Sequence, residues 1–194
     1  MAHKFALILL GVVMGIAPGL AEGTPGKAMP GSEREPLKTV SSVDINRYMG
    51  TWYEIARMPN RFEKKCKDDV TAHYELNPDG KVSVRNECRM SDGGTNTAHG
   101  RAHVVDGSGN SKLRVTFFWP FYADYWIIDL DKDYRYAVVG EPERKYLWIL
   151  SRTPQVGADT YQHILKTIEE HGYDVSKIVK TEQSAVPAAN ITSK

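Results

Sequence analysis

From Val43 to Ser151 the sequence is built of short runs rich in β-branched and aromatic residues, interrupted by turn formers roughly every ten positions. That spacing admits few folds. The runs are too short and too evenly spaced for helices to alternate with them, so the segment reads as all-β, a sandwich or a barrel. Strands are expected at about 51–58, 69–77, 81–89, 99–106, 111–119, 124–130, 135–140 and 145–151. The links Asn77-Pro78-Asp79-Gly80, Asp106-Gly107-Ser108-Gly109-Asn110 and Asp131-Lys132-Asp133 are short and well marked, as the hairpins of an up-and-down meander require. They alternate along the chain with segments around 59–67, 90–98, 119–123 and 141–144, so the two sets of links fall at opposite ends. An antiparallel meander of eight strands removes its exposed edges by closing into a barrel, and the longer loops mark its mouth.

After the eighth strand, Tyr161, Ile164, Leu165 and Ile168 recur at helical spacing between Ala158 and His171, with Asp159 or Gly157 to begin the helix and Gly172 to end it. Such an apolar stripe predicts one C-terminal helix packed outside the barrel. Residues 178–182 are expected to add a ninth edge strand and 183–194 to form a flexible tail, in which Asn190-Ile191-Thr192 matches a glycosylation acceptor. The barrel domain is thus placed at 43–182.

Ahead of it, Met1-Ala2-His3-Lys4, an uncharged run from Phe5 to Ala17 and small residues up to Ala21 describe an export signal, residues 1–21, cleaved after Ala21. The run is shorter than the ~20 apolar residues that span a bilayer. Residues 22–42, rich in Gly, Pro, Ser and charge, read as a flexible leader. Cys66 and Cys88 are the only cysteines, so none near the cleavage point can carry a lipid. The product is expected to be soluble and either periplasmic or secreted.

Charge narrows the partners. Lys and Arg number 25 and Asp and Glu 24; loss of Lys4 with the signal leaves 24 of each. A neutral chain lacks the basic field that nucleic acid binding needs. In an oxidising compartment Cys66 and Cys88 invite a disulfide, with free thiols the alternative; neither belongs to a CxxC or has a histidine at zinc-ligand spacing, so no metal is expected. A bulge-free register pairing Leu76 with Lys81 sets Cys88 opposite Asp69, a few residues from Cys66, so a bond requires the loop to curl back or the strand to bulge. That bond would pin the loop at 57–67.

Strand alternation puts Trp52, Glu54, Ala56 and Met58 on one face of the first strand, and Tyr146, Trp148, Leu150 and Arg152 on one face of the eighth. An eight-stranded barrel is just wide enough to be filled by side chains or to hold one small ligand. Small residues such as Ala56 and Ala102 among large aromatics fit a hollow interior, and they also fit a core of alternating sizes.

Three segments resemble the signatures of the lipocalin family, in order and at the family's separations. They are Gly50-Thr51-Trp52-Tyr53 within Asn46–Arg57, Asp124-Tyr125 within Phe118–Trp126, and Leu147–Pro154 with Arg152. The likeness covers about residues 43–182 and is nearest to bacterial lipocalins and apolipoprotein D-like proteins. It implies that Gly50, Trp52 and Arg152 close the base of the barrel, the arginine lying over the indole. It also implies a fatty acid or lysophospholipid ligand, with Tyr122, Tyr125, Tyr146 and Trp148 as aromatic wall and Ala56, Met58 and Phe117 as apolar lining. No cofactor follows from it. Monomer and homodimer both stay open, transient membrane contact is compatible with it, and a Gram-negative periplasm is the expected location. The missing lipid-attachment cysteine departs from the best-known bacterial members.

Two other functions compete with that of a carrier. A lipid-modifying enzyme would need a catalytic group inside, and Glu54 is the inward carboxylate; the sequence offers it no partner, and His73, His99 and His103 form no recognisable set. A ligand-free barrel would instead use Trp119-Pro120-Phe121-Tyr122 as a docking or dimer surface.

Overall fold

The structure, a computed structural model, describes residues 35–184, so the export signal, residues 22–34 and the acceptor at 190–192 lie outside the described residues. A single helical turn, α1 (Ile45–Tyr48), precedes β1 (Gly50–Arg57), β2 (Cys66–Leu76), β3 (Val82–Met90), β4 (Thr95–Val104), β5 (Lys112–Phe118), β6 (Phe121–Leu130), β7 (Tyr136–Gly140) and β8 (Leu147–Ser151). Helix α2 (Ala158–Glu170) and a short β9 (Val179–Lys180) follow. Each strand from β1 to β8 pairs antiparallel with the next, and β8 pairs back onto β1, which closes the eight-stranded barrel. Structure and sequence reading agree on this architecture.

Alternation divides the apolar residues between two cores. On β8, Trp148 and Leu150 face the barrel interior with Trp52, Ala102, Leu113 and Ile127, whereas Leu147 and Ile149 face outward. Strand β7 is buried along its whole length because Ala137 and Val139 point in while Tyr136 and Val138 point out beneath α2. Ile164 and Ile168 fill the space between helix and barrel, and burying each completely stabilises the fold by about 2 kcal/mol. Gly157 begins this helix.

A bulge in β1 changes its parity. Glu54 stands opposite Leu150 but Ala56 stands opposite Ile149, so Ile55 is the extra residue. Ala56 and Met58, expected in the lining, therefore face outward and pack in the core beneath α2. Strict alternation through residue 58 was the error, and Arg57, opposite Trp148, takes the inward place.

Beyond Tyr53 the pairing of β1 with β2 stops, and the C-terminal segment enters the seam. Thr181 N donates to Ile55 O at 2.9 Å, and Asp69 N to Glu182 O at 2.9 Å. The Gln183 amide donates to both Glu54 O and Val70 O at 2.8 Å, a side chain standing in for a ladder rung. Residues 183 and 184, read as the start of a flexible tail, are thus held; Ser184 N also donates to Asp69 Oδ1.

Several links are tighter than their sequence implies. Strands β2, β4 and β6 begin earlier than expected, which shrinks the 90–98 and 119–123 segments to short turns. Polar residues such as Thr95 and Asn96 conceal strand there, because the backbone ladder with β3 holds them regardless of side chain. Residues 35–42, read as leader, lie along the barrel: Leu37 is buried in the outer core and Val40 N donates to Ile127 O at 3.0 Å. Among the described residues no helix is long and apolar enough to cross a membrane.

Candidate functional site

The base of the barrel is closed by one local assembly. Trp52 is fully buried, and its Nε1 donates to Tyr48 O at 2.8 Å, which fastens the indole to α1. Arg152 lies across the indole face, its guanidinium carbon 3.8 Å from the ring centre, and donates to Thr51 O at 2.9 Å and Arg47 O at 2.7 Å. Gly50 adopts φ +92°, a backbone conformation that favours glycine, and it lies directly beside Arg152, whose Nη1 would be 3.4 Å from a Cβ there.

Above the base, three phenols form a hydrogen-bonded floor: the Tyr125 hydroxyl meets that of Tyr48 at 2.8 Å and that of Tyr74 at 3.0 Å. Burial pushes all three upward, Tyr74 to about 12, which keeps the floor neutral. Apart from Tyr74, the wall of β2 to β4 is made of small or medium-sized residues. Ala72, Asn86 and Ala98 share one inward row, and Val84 and Gly100 the next. Phe117 lies over Gly100, where a Cβ would meet its ring at 2.9 Å. The facing wall carries Trp148 and Tyr146, whose rings stack at 6.1 Å, with Phe62 against Tyr146 at 5.3 Å.

Near the mouth this wall ends in charge. Arg57 Nε lies 2.6 Å from Glu63 Oε2 and 3.4 Å from Glu54 Oε1, and Trp148 Nε1 donates to Glu63 Oε1 at 2.8 Å. Glu54 is 2% exposed and accepts from the Thr181 hydroxyl. Burial first, then the neighbouring Glu63, pushes its carboxyl well above the ordinary range, against the opposing pull of Thr181 and Arg57. Glu63 is delivered by an Asn turn: Asn60 Oδ1 accepts from Phe62 N at 2.9 Å and Glu63 N at 3.0 Å, while its amide donates to Glu63 Oε1. The bond between Cys66 and Cys88, with Cα atoms 5.5 Å apart, closes the far end of the same loop. Leu76 pairs with Val82 rather than Lys81, and two bulges in β2 then set Cys66 opposite Met90 instead of Asp92, which brings it within reach of Cys88.

Of the residues expected in the wall, Tyr125, Tyr146, Trp148 and Phe117 lie on inward-facing rows. Tyr122 does not. Inward Val115 stands opposite Ala123, so Tyr122 falls on the outer face, its ring edge-on to His103 at 5.3 Å. Arg57, Phe62 and Glu63 were missed. Asn60 followed three residues later by Glu63 is a capping pattern that could have marked the loop as ordered.

A lipocalin-like domain matches residues 43–183. Temperature-induced lipocalin-1 of Arabidopsis thaliana is 41% identical over 170 residues, which cover 84% of this chain and 91% of that protein. Outer membrane lipoprotein Blc of Escherichia coli K12 is 43% identical over 148 residues, covering 76% and 83% respectively. In three dimensions the chain is similar to insecticyanin of the tobacco hornworm Manduca sexta, with a TM-score of 0.63 at 23% identity over 77% of this chain and 85% of that one. A closed barrel with its outer helix, three ordered sequence signatures and a domain match spanning all of them agree: the chain belongs to the lipocalin-like family.

Proposed function

We propose that the barrel is a carrier that takes up one small acyl lipid through its mouth, tail inward. One observation supports this above the others. Trp148, Tyr125 and Val115 face inward yet are only partly buried, while residues nearer the base, such as Trp52 and Ala137, are sealed. A filled core would bury both sets alike. Small residues on one wall and aromatic rings on the other make a slot suited to an alkyl chain.

Between the two candidate lipids, the mouth favours a lysophospholipid. Arg57 is already held by Glu54 and Glu63 and is a poor anchor for a free fatty-acid carboxylate. A headgroup bringing its own cation or donors suits the partly buried Glu63 carboxylate better. Carrying is preferred to catalysis because both sulfurs are tied in a disulfide and the contacts of Glu54 are those of a buried, stabilised carboxyl. We place the protein outside the cytoplasm, on the strength of the N-terminal apolar run and the disulfide.

The test is extraction of the purified protein with organic solvent, followed by displacement of a fluorescent fatty acid. Stoichiometric displacement, stronger with lysophospholipid than with oleate, is the expected result. An empty extract with no uptake at micromolar concentration overturns the carrier reading, and turnover of the bound lipid replaces it with an enzyme.

A further inference from the structure

The exposed large apolar side chains among the described residues all lie in the mouth half of the barrel. The densest group is at the tip of the β5–β6 hairpin, where Phe118 pairs with Phe121 across the turn Trp119-Pro120. Phe118, Trp119 and Phe121 are 81%, 82% and 77% exposed, so the barrel's packing uses none of them. Three bulky rings standing together in water mark an interaction site. The β1–β2 loop leaves the far side of the same mouth and adds Phe62, 58% exposed.

Charge identifies what these rings meet. Around Phe62 stand the exposed cations Arg61, Lys64 and Lys65, with Lys67 paired to Asp68 at 4.0 Å and Lys145 in the β7–β8 link. The acids of the same loops are largely turned inward or paired. Glu63 holds Arg57, Asp68 and Asp69 hold Arg89, and Glu141 accepts from the backbone of Glu143 and Tyr146; Asp92 and Glu143 remain exposed. The rim therefore joins aromatic rings to a positive excess, the chemistry that holds proteins at the interface of anionic bilayers. The opposite end mixes both signs in its turns, Asp79, Asp106 and Asp133 with Lys81, Lys132 and Arg135, and among the described residues presents no comparable group of exposed rings.

We propose that this rim docks the barrel mouth-down on a lipid bilayer bearing anionic headgroups. Phe118, Trp119 and Phe121 enter the headgroup layer on one side, Phe62 on the other, and the lysines meet lipid phosphates between them. A lipid then moves between bilayer and cavity without crossing water. Docking itself requires no cargo, so it stands or falls separately from the carrier reading.

The test is co-sedimentation of the purified protein with phosphatidylcholine vesicles, with and without phosphatidylglycerol, and the emission of Trp119. Binding is expected on the anionic vesicles, with a blue shift that the Trp119→Phe variant loses. Combining Phe118→Ser, Trp119→Ser and Phe121→Ser is expected to weaken binding roughly tenfold or more. Joint Lys64→Glu and Lys65→Glu is expected to weaken it on the anionic vesicles alone, which keeps the test decisive should the triple variant not fold. Both variants should take up a fluorescent fatty acid in vesicle-free solution as the parent does. Parent protein left in the supernatant with both vesicle types, or a folded triple variant bound as tightly as the parent, overturns the proposal. So does a dimer that the triple variant converts to monomer without any vesicle binding, which would make the rim a contact between copies of this chain.

Discussion

The Arg152 guanidinium is stacked on the Trp52 indole at 3.8 Å and at the same time hydrogen-bonded to the carbonyls of Thr51 and Arg47. One side chain thereby ties the end of β8 to the start of β1 and to α1, across the base of the barrel. Arg152→Ala removes the stack and leaves two carbonyls without their donor, at a cost of about 2–3 kcal/mol. Arg152→Lys keeps the charge but not the planar fork, and is expected to recover less than half of the loss. Urea unfolding followed by tryptophan emission checks both; equal stability of all three proteins would show that the base is held by packing alone.

Trp148 joins the wall to the mouth, stacking on Tyr146 and donating to Glu63. Its neighbours Leu147 and Ile149 carry the packing against the helix, so Trp148→Ala should leave the barrel folded. Lipid affinity is expected to fall about tenfold as ring contact is lost and Glu63 is released. Phe117→Ala serves as a comparison on the opposite wall. Unchanged affinity in both variants would mean that the ligand does not contact these rings.

The eight-stranded plan was legible in this sequence because short apolar runs and hairpin turns follow directly from local chemistry. So were Trp52 and Arg152, which lie in recognisable signatures. What stayed hidden was parity. One extra residue at Ile55 sends Ala56 and Met58 to the outer core and turns Arg57 inward, and nothing in the side chains of 54–57 announces the bulge. Tyr122 was misplaced for a similar reason, since its face depends on the register Val115 adopts with Ala123. The Glu54–Arg57–Glu63 cluster is assembled by tertiary contact between a strand and a loop, and local patterns carry no trace of that meeting.

The Cys66–Cys88 bond spans 22 residues of chain and fastens β2 to β3 at the mouth. In the chain-entropy account a loop of this length contributes about 3 kcal/mol by restricting the unfolded state. Joint Cys66→Ala and Cys88→Ala should lower the unfolding midpoint accordingly while the barrel persists, because both core clusters are assembled from other strands as well. Greater proteolysis of the 58–65 loop is the accompanying local sign. A variant as stable as the parent would place the restriction elsewhere.

Glu54 and Asp131 pull the pH profile of stability in opposite directions. Asp131 is held down to about 2, chiefly by hydrogen bonds from Arg135, so its contribution is present above the ordinary aspartate value and is lost as pH falls toward 2. Glu54 is raised above its ordinary 4.5 by burial and by Glu63, so the folded state binds that proton more tightly than the unfolded chain. Its contribution is complete below that value and declines as pH climbs through the raised one. Glu54→Gln keeps an oxygen for Thr181 while removing the ionisation. The variant should therefore match or exceed the parent in stability at alkaline pH and lose the downward slope, while Asp131→Asn should weaken the neutral protein and flatten only the acid limb. Chemical denaturation across pH measures both. If parental stability instead rises with pH above 4.5 and Glu54→Gln lowers that rise, Glu54 is ionised in the fold and the cluster is a salt-bridged triad.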